Sequence, residues 1–103
     1  GLTPLISAAM RQSDNIGIAR ILLEAGADPN ILQKGVNRTA LHYTALIPNR
    51  EEFAKLLLDY GADSDIKDNG GDTALHITAD KGRKEVAKIL LAAGANKSLH
   101  NND

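Results

Sequence analysis

The residues of this chain whose types invite chemistry are its histidines, a run of aspartates and a few hydroxyls. His76 and Asp80 have the i, i+4 spacing that puts two ligands on one helix face, and with His42 they would be the material for a metal or catalytic centre. His42 and His76, however, fill the same slot in two copies of a recurring phrase, which speaks for a part in the architecture. His100 has no partner at ligand spacing. The acidic run Asp59, Asp63, Asp65, Asp68 and Asp72 fails as an EF-hand, which needs Asp or Asn at the fifth position and Gly at the sixth. Counted from Asp63, these are Lys67 and Asp68. No Gly-x-x-x-x-Gly-Lys phosphate loop exists. Ser7, Ser13, Ser64 and Ser98 lie in unrelated slots with no base paired to them. Asn37-Arg38-Thr39 and Asn96-Lys97-Ser98 match the glycosylation sequon, but Thr39 is needed as a helix cap. The cations Lys81, Arg83, Lys84 and Lys88 read as a solvated helix face rather than a grip on an acidic partner. The expectation is a chain with no catalytic residue, no metal and no cofactor.

The elements that position these residues announce themselves by repetition. Thr-x-Leu-x-x-x-Ala occurs at Thr3/Leu5/Ala9, Thr39/Leu41/Ala45 and Thr73/Leu75/Ala79, and Leu-Leu-x-x-Gly-Ala at Leu22–Ala27, Leu57–Ala62 and Leu90–Ala95. From each Thr to the following Gly the offsets are 23, 22 and 21 residues, and from Gly to the next Thr 13 and 12, so the shortest unit is 33 residues long. The extra residues fall near Gln12-Ser13, Gln33-Lys34 and Pro48, between the phrases, where loops belong. Each Thr predicts an N-cap for a short helix, reinforced at the first by Pro4, whose missing N–H is not needed in a first turn. A second, more apolar helix is predicted over 15–25, 50–60 and 83–93. Asn49 and Glu52 have capping-box spacing at one of these starts, and Gly26, Gly61 and Gly94 suit left-handed C-caps. Ile16, Ile18, Ile21, Leu22 and Leu23 cover more than one face of the first long helix, which should therefore be gripped on several sides. One helix pair cannot bury that surface alone. Asn69-Gly70 predicts a tight turn at a hairpin tip.

Composition narrows the function classes. One domain is the expectation for 103 residues. Aromatics are only 3% and Trp is absent, so Leu, Ile and Ala must fill the core. Without cysteine there is no disulfide framework, no thiolate zinc site and no thiol nucleophile, which weakly favours a reducing, intracellular address. Twelve Lys and Arg against thirteen Asp and Glu give a net charge of −1, which argues against a protein built to bind nucleic acid. No apolar run approaches the ~20 residues that span a bilayer.

At this point the residues resemble the ankyrin repeat, with its period of 33 and its Thr-Pro-Leu-His-x-Ala phrase. Here that phrase reads Thr3-Pro-Leu-Ile-Ser-Ala, Thr39-Ala-Leu-His-Tyr-Thr and Thr73-Ala-Leu-His-Ile-Thr. Gly26-Ala-Asp-Pro-Asn30, Gly61-Ala-Asp-Ser-Asp65 and Gly94-Ala-Asn-Lys-Ser98 are similar to the family's Gly-Ala-Asp-x-Asn hairpin phrase. The departures are Ile6 in place of His, Asn37 where a hairpin Gly is usual, and Pro48 in the middle helix–helix turn. The resemblance implies an all-α solenoid of stacked helix-turn-helix repeats with β-hairpin loops, one domain over 1–103 with repeats at about 1–34, 35–68 and 69–103. It also implies that His42 and His76 hydrogen-bond neighbouring backbone to hold the short helices.

The family binds partners along a concave groove of hairpin tips and short helices. Carried over, that groove takes Leu32, Gln33, Val36 and Arg38 from the first tip, Lys67, Asn69 and Asp72 from the second, and the short-helix slots Met10/Arg11, Leu46/Ile47 and Asp80/Lys81. Leu32, Val36, Leu46 and Ile47 would make an apolar patch, unless the inserted residues near Gln33 and Pro48 tilt some of them into the fold. The resemblance thus implies a monomeric, non-catalytic module that binds another protein, inside the cell or as an effector delivered into a host; the alternative is a spacer bracing another domain. Terminal repeats usually carry a polar outer face, yet Leu2, Leu5 and Ile6 at one end and Val86, Ile89, Leu90 and Leu91 at the other are repeat-like. The chain is therefore expected to be a piece of a longer array or a larger protein.

Overall fold

A computed structural model of the protein describes residues 3–11 and 16–94. Among these residues there are six helices: α1 (Pro4–Met10), α2 (Ile16–Glu24), α3 (Ala40–Leu46), α4 (Glu51–Asp59), α5 (Ala74–Lys81) and α6 (Lys84–Ala92). The short helices α1, α3 and α5 pack on one another in sequence to form an inner layer. The longer helices pack as an outer layer, α2 on α4 and α4 on α6, and each inner helix also packs on the outer helix that follows it.

The capping threonines behave as their phrase predicts. The Thr3 hydroxyl accepts from Ile6 N at 3.1 Å, with Pro4 in the first turn. Thr39 and Thr73 close reciprocal boxes in which histidine replaces the usual Glu. Thr39 Oγ1 accepts from His42 N at 3.4 Å while His42 Nδ1 accepts from Thr39 N at 2.9 Å, and Thr73 with His76 repeats the pair at 3.3 and 3.1 Å. The outer helices are one residue shorter at each end than the sequence predicts. They stop in Schellman turns: Ala27 N donates to Leu22 O and Gly26 N to Leu23 O, both at 3.0 Å, and Ala62 and Gly61 do the same to Leu57 and Leu58. Gly26 at φ 99° and Gly61 at φ 91° supply the left-handed conformation this turn requires.

Two expectations need correcting. Asn49 does not cap the middle outer helix: it takes a left-handed φ of 64°, and Arg50 is the N-cap residue, with no side-chain cap bond. Asn49 thus stands one residue ahead of the cap position, and the residue three beyond Arg50 is Phe53, not Glu52. Nor is α2 gripped all round. Ala19 and Leu23 are buried and Leu22 half-buried, but Ile18 and Ile21 are exposed, because α2 has an outer-helix neighbour, α4, on one side only among the described residues.

The core is made of small and branched aliphatics. Ala8, Ala9, Ala40, Ala45 and Ala74 are buried on the inner helices, where short side chains let the backbones approach. Leu5, Ile6, Leu41, Phe53, Leu57 and Leu90 fill the space between layers. Thr44 and Thr78 are buried too, and each hydroxyl is satisfied by donating to the carbonyl three residues back, at 2.7 Å to Leu41 and 2.6 Å to Leu75.

Candidate functional site

The loops between units form stacked turns on one side of the inner layer. The first closes with Gln33 N donating to Arg38 O at 2.7 Å, an isolated antiparallel bridge, and Asn37 accepts the left-handed φ of 58° expected of the glycine it replaces. The second closes through Asp68 N to Asp72 O and Gly71 N to Asp68 O, both at 2.9 Å, with Asn69-Gly70 at its tip. The two tips are bolted together. Asn69 N donates to Val36 O at 3.0 Å, Asn69 Nδ2 to Gly35 O at 2.6 Å, and Asn37 Nδ2 to Asn69 Oδ1 at 2.7 Å. Asn30 makes a matching tie nearer the outer layer, donating to Gly61 O at 3.1 Å and accepting from Asp63 N at 2.6 Å.

His42 is a structural pin. It is fully buried, its Nδ1 accepts from Thr39 N, and its Nε2 lies 3.0 Å from Asp72 O. A carbonyl can only accept, so Nε2 carries the proton and the ring is held neutral, with no lone pair left for a metal. Burial lowers its pKa, outweighing the Asp72 carbonyl and the Asp68 charge that favour protonation. Asp68 stands beside it. Burial tends to raise the Asp68 pKa, but hydrogen bonds from the Asp72 and Gly70 N–H groups, together with His42 and Arg38, hold it below the ordinary value. Asp68 Oδ2 is 3.6 Å from Arg38 Nε, an ion pair too long for a hydrogen bond, and the Arg38 guanidinium lies 5.7 Å from the centre of the Tyr43 ring. The Tyr43 hydroxyl in turn donates to Gln33 Oε1.

Sequence reasoning missed the device that clamps successive units. Arg50, buried, donates from Nε to Ala9 O at 3.3 Å and from Nη2 to Arg11 O, at the C-terminal end of α1. Arg83 repeats it one unit on, reaching Ala45 O and Leu46 O of α3 at 3.1 Å each. Arg83 therefore does not belong to a solvated cation face with Lys81, Lys84 and Lys88. It serves the orphan carbonyls at a helix C-terminus, where a cation is favoured. The signal available was position: both arginines stand directly before an outer helix.

Between the second tip, α3 and α5 runs a groove of about 460 Å³ lined by Arg38, Leu46, Asp68, Asp72, His76, Ile77, Asp80 and Lys81. Ile77 is buried and Leu46 half-buried, while Asp72, His76, Asp80 and Lys81 are exposed. Five of the candidate partner-binding residues thus meet here: Arg38, Leu46, Asp72, Asp80 and Lys81. Leu32, Gln33, Val36, Ile47, Lys67 and Asn69 lie outside this groove. Of the four apolar candidates, Leu32 is 44% exposed, Val36 is half-buried, and Leu46 and Ile47 are half-buried and packed against the core. Asp68, His76 and Ile77 were not placed at a binding surface by the sequence, since only the folded arrangement of the second tip and α5 brings them to one groove. The sequon asparagine Asn37 is tied to Asn69, and the second sequon, Asn96 to Ser98, lies outside the described residues, as does His100.

The geometry is that of a scaffold in which His42, Thr44, Arg50 and Thr78 are buried and bonded to backbone, while Asp72, His76, Asp80 and Lys81 stand exposed along one groove. No helix among the described residues is long and apolar enough to cross a membrane. A family model for ankyrin repeats in three copies matches residues 5–101. Among relatives, the chain is 35% identical over 89 residues to the nuclear factor NF-kappa-B p105 subunit of Gallus gallus, covering 86% of this chain and 9% of that protein. It is 34% identical over 116 residues to the neurogenic locus Notch protein of Drosophila melanogaster, covering 97% of this chain and 4% of that one. It is 41% identical over 64 residues to protein phosphatase 1 regulatory subunit 27 of Homo sapiens, covering 62% of this chain and 41% of that one. The chain therefore spans only a small part of most of these relatives. Ankyrin repeats are in general protein-interaction modules rather than catalysts. By its repeats, their caps and their stacking, this chain belongs to the ankyrin repeat family.

Proposed function

We propose that this segment binds a protein partner, without catalysis, along the groove between the second hairpin tip and the inner helices α3 and α5. The observation that carries the reading is the division of labour among polar side chains. His42, Arg50, Arg83, Asn30 and Asn69 are each committed to backbone within the fold. The side chains of Asp72, Asp80 and Lys81, all exposed, make no hydrogen bond or ion pair among the described residues, and they stand around the half-buried Leu46, with the buried Ile77 at the groove's base. Apolar area with a polar, solvent-accessible rim is the composition of a recognition site. A rigid scaffold presenting loop and helix-end residues lets such a site be specific. Leu32 and Lys67, exposed beside the tips, extend the contact, Arg38 lines the groove, and Gln33, Val36, Ile47 and Asn69 hold the surface in shape behind it.

The test is a paired capture from cell lysate with the native chain and an Asp72→Lys/Asp80→Lys variant, chosen because both side chains are exposed and the fold does not depend on them. Proteins retained by the native chain and released by the variant, at unchanged helical signal, support the groove. Identical retention by both moves binding elsewhere, and no retention by either favours a spacer that braces another domain.

A further inference from the structure

The groove between the second tip, α3 and α5 is lined by Arg38, Asp68, Asp72, Asp80 and Lys81 as its charged side chains. Two of these cancel inside the fold. Asp68 Oδ1 accepts from Gly70 N at 2.9 Å and from Asp72 N at 3.1 Å, its Oδ2 pairs with Arg38 Nε at 3.6 Å, and its side chain is only 6% exposed. Those contacts keep the carboxylate ionised and match it to Arg38, whose guanidinium is also held near the Tyr43 ring. Three charges remain for a partner, two acidic and one basic. Asp72, Asp80 and Lys81 are exposed and make no ion pair among the described residues.

The two free acids owe their places to α5. Asp72 directly precedes the capping Thr73, and Asp80 lies in the last turn, where the carbonyl end of a helix disfavours an anion. Stacking does not call for an acid there: the same slot, seven residues after the capping threonine, holds Met10 in α1 and Leu46 in α3, both packed against the core. At 1.5 Å per residue, Asp72 and Asp80 stand about 12 Å apart. The buried Ile77 lies between them at the base, with Leu46 beside it on α3. An extended chain advances ~3.3 Å per residue and returns to the same face every second residue, so its residues i and i+4 stand ~13 Å apart with i+2 between them. We infer that the groove takes an extended segment of a protein partner in which two basic residues, at i and i+4, flank an apolar residue at i+2. The basic side chains meet Asp72 and Asp80, and the apolar one settles on Leu46 above Ile77. This rests on the groove being the binding surface and adds the chemistry of what it binds. An acidic segment is disfavoured, because Arg38 is already matched by Asp68 and Lys81 alone would face it, beside two like charges.

Fluorescence anisotropy tests it, with the 103-residue chain and three end-capped peptides: Ser-Arg-Ser-Leu-Ser-Arg-Ser, its respaced isomer Ser-Arg-Arg-Leu-Ser-Ser-Ser, and Ser-Glu-Ser-Leu-Ser-Glu-Ser. The first should bind about threefold more tightly than its isomer and at least about tenfold more tightly than the glutamate peptide, the scale of one and of two exposed charge pairs. Asp72→Asn and Asp80→Asn should each weaken it about threefold, and Lys81→Gln, which removes the competing cation, should tighten it about twofold. Asp72→Lys/Asp80→Lys should reverse the preference in favour of the glutamate peptide, at unchanged helical signal. Equal binding of the two arginine peptides overturns the inference, as does an arginine peptide held equally by the native chain and the double lysine variant, weakening by Lys81→Gln, or no binding of any peptide up to millimolar concentration. The groove reading fails separately, in its own lysate capture. A partner captured there through the groove, by a segment without such a basic pair, leaves that reading standing and overturns this one.

Discussion

Replacing Arg50 by methionine isolates the contribution of the arginine clamp. Methionine keeps most of the aliphatic stem and removes only the guanidinium, which donates to Ala9 O and Arg11 O from the start of α4. Each bond is charge-assisted, worth about 1.5–3 kcal/mol when buried. Arg50 is 9% exposed, so little of this is screened, but Arg11 is exposed and water can replace the donor at its carbonyl. The expected loss is about 2–3 kcal/mol, which for a domain of this size is a fall in melting temperature of roughly 10–20 °C. Arg83, half-buried, should cost about half as much when changed likewise, because more of its partnership is already shared with solvent. Arg50→Lys should recover only part of the loss, since one ammonium cannot reach two carbonyls in the arginine fork. Far-UV circular dichroism during thermal and urea unfolding gives both numbers. A melting temperature for Arg50→Met within about 2 °C of the native chain would refute the idea that these arginines clamp one unit to the next.

Further outcomes follow from other buried contacts. His42 is held neutral, with its pKa below the ordinary 6.5, so its contribution is complete above that pH and is lost as pH falls towards the folded-state value. The urea midpoint should drop between pH 7 and pH 5, and His42→Gln should be less stable at pH 7 with a flatter pH profile; a native midpoint independent of pH in that window would contradict the assignment. Gly61→Ala forces an L side chain to φ 91° and should cost about 1–2 kcal/mol although nothing crowds the added methyl, measurable as a lower urea midpoint at unchanged slope. Leu57→Ala opens a cavity at a fully buried site and should cost about 2–5 kcal/mol by the same assay.

The parts of the fold that were legible in the sequence are those written in short-range chemistry. Thr3, Thr39 and Thr73 mark helix starts because the cap bond spans three residues, and Gly26 and Gly61 mark ends because only a left-handed residue completes the turn. The Asn49 cap failed on backbone conformation: Asn49 takes a left-handed φ rather than the extended one of a cap, and the helix begins one residue later without a side-chain cap. The clamp was illegible for a different reason. Arg50 and Arg83 act on carbonyls 41 and 38 residues away, and in the sequence Arg83 is simply one more cation in a basic stretch. The groove was half legible. Asp72, Asp80 and Lys81 follow from repeat slots, whereas Asp68 and His76 enter only because the folded chain sets the second tip and α5 along one groove, and Leu46 and Ile47 pack against the core.

The central claim is that a protein partner is recognised at the groove and not on the outer helices. Its most direct test is a photocrosslinking amino acid placed at position 80, on α5 at the groove, or at position 88, on the exposed side of α6, in otherwise native protein incubated with lysate. The account predicts a discrete adduct from position 80, suppressed by excess unlabelled native chain, and none from position 88. Adducts from 88 alone would contradict it.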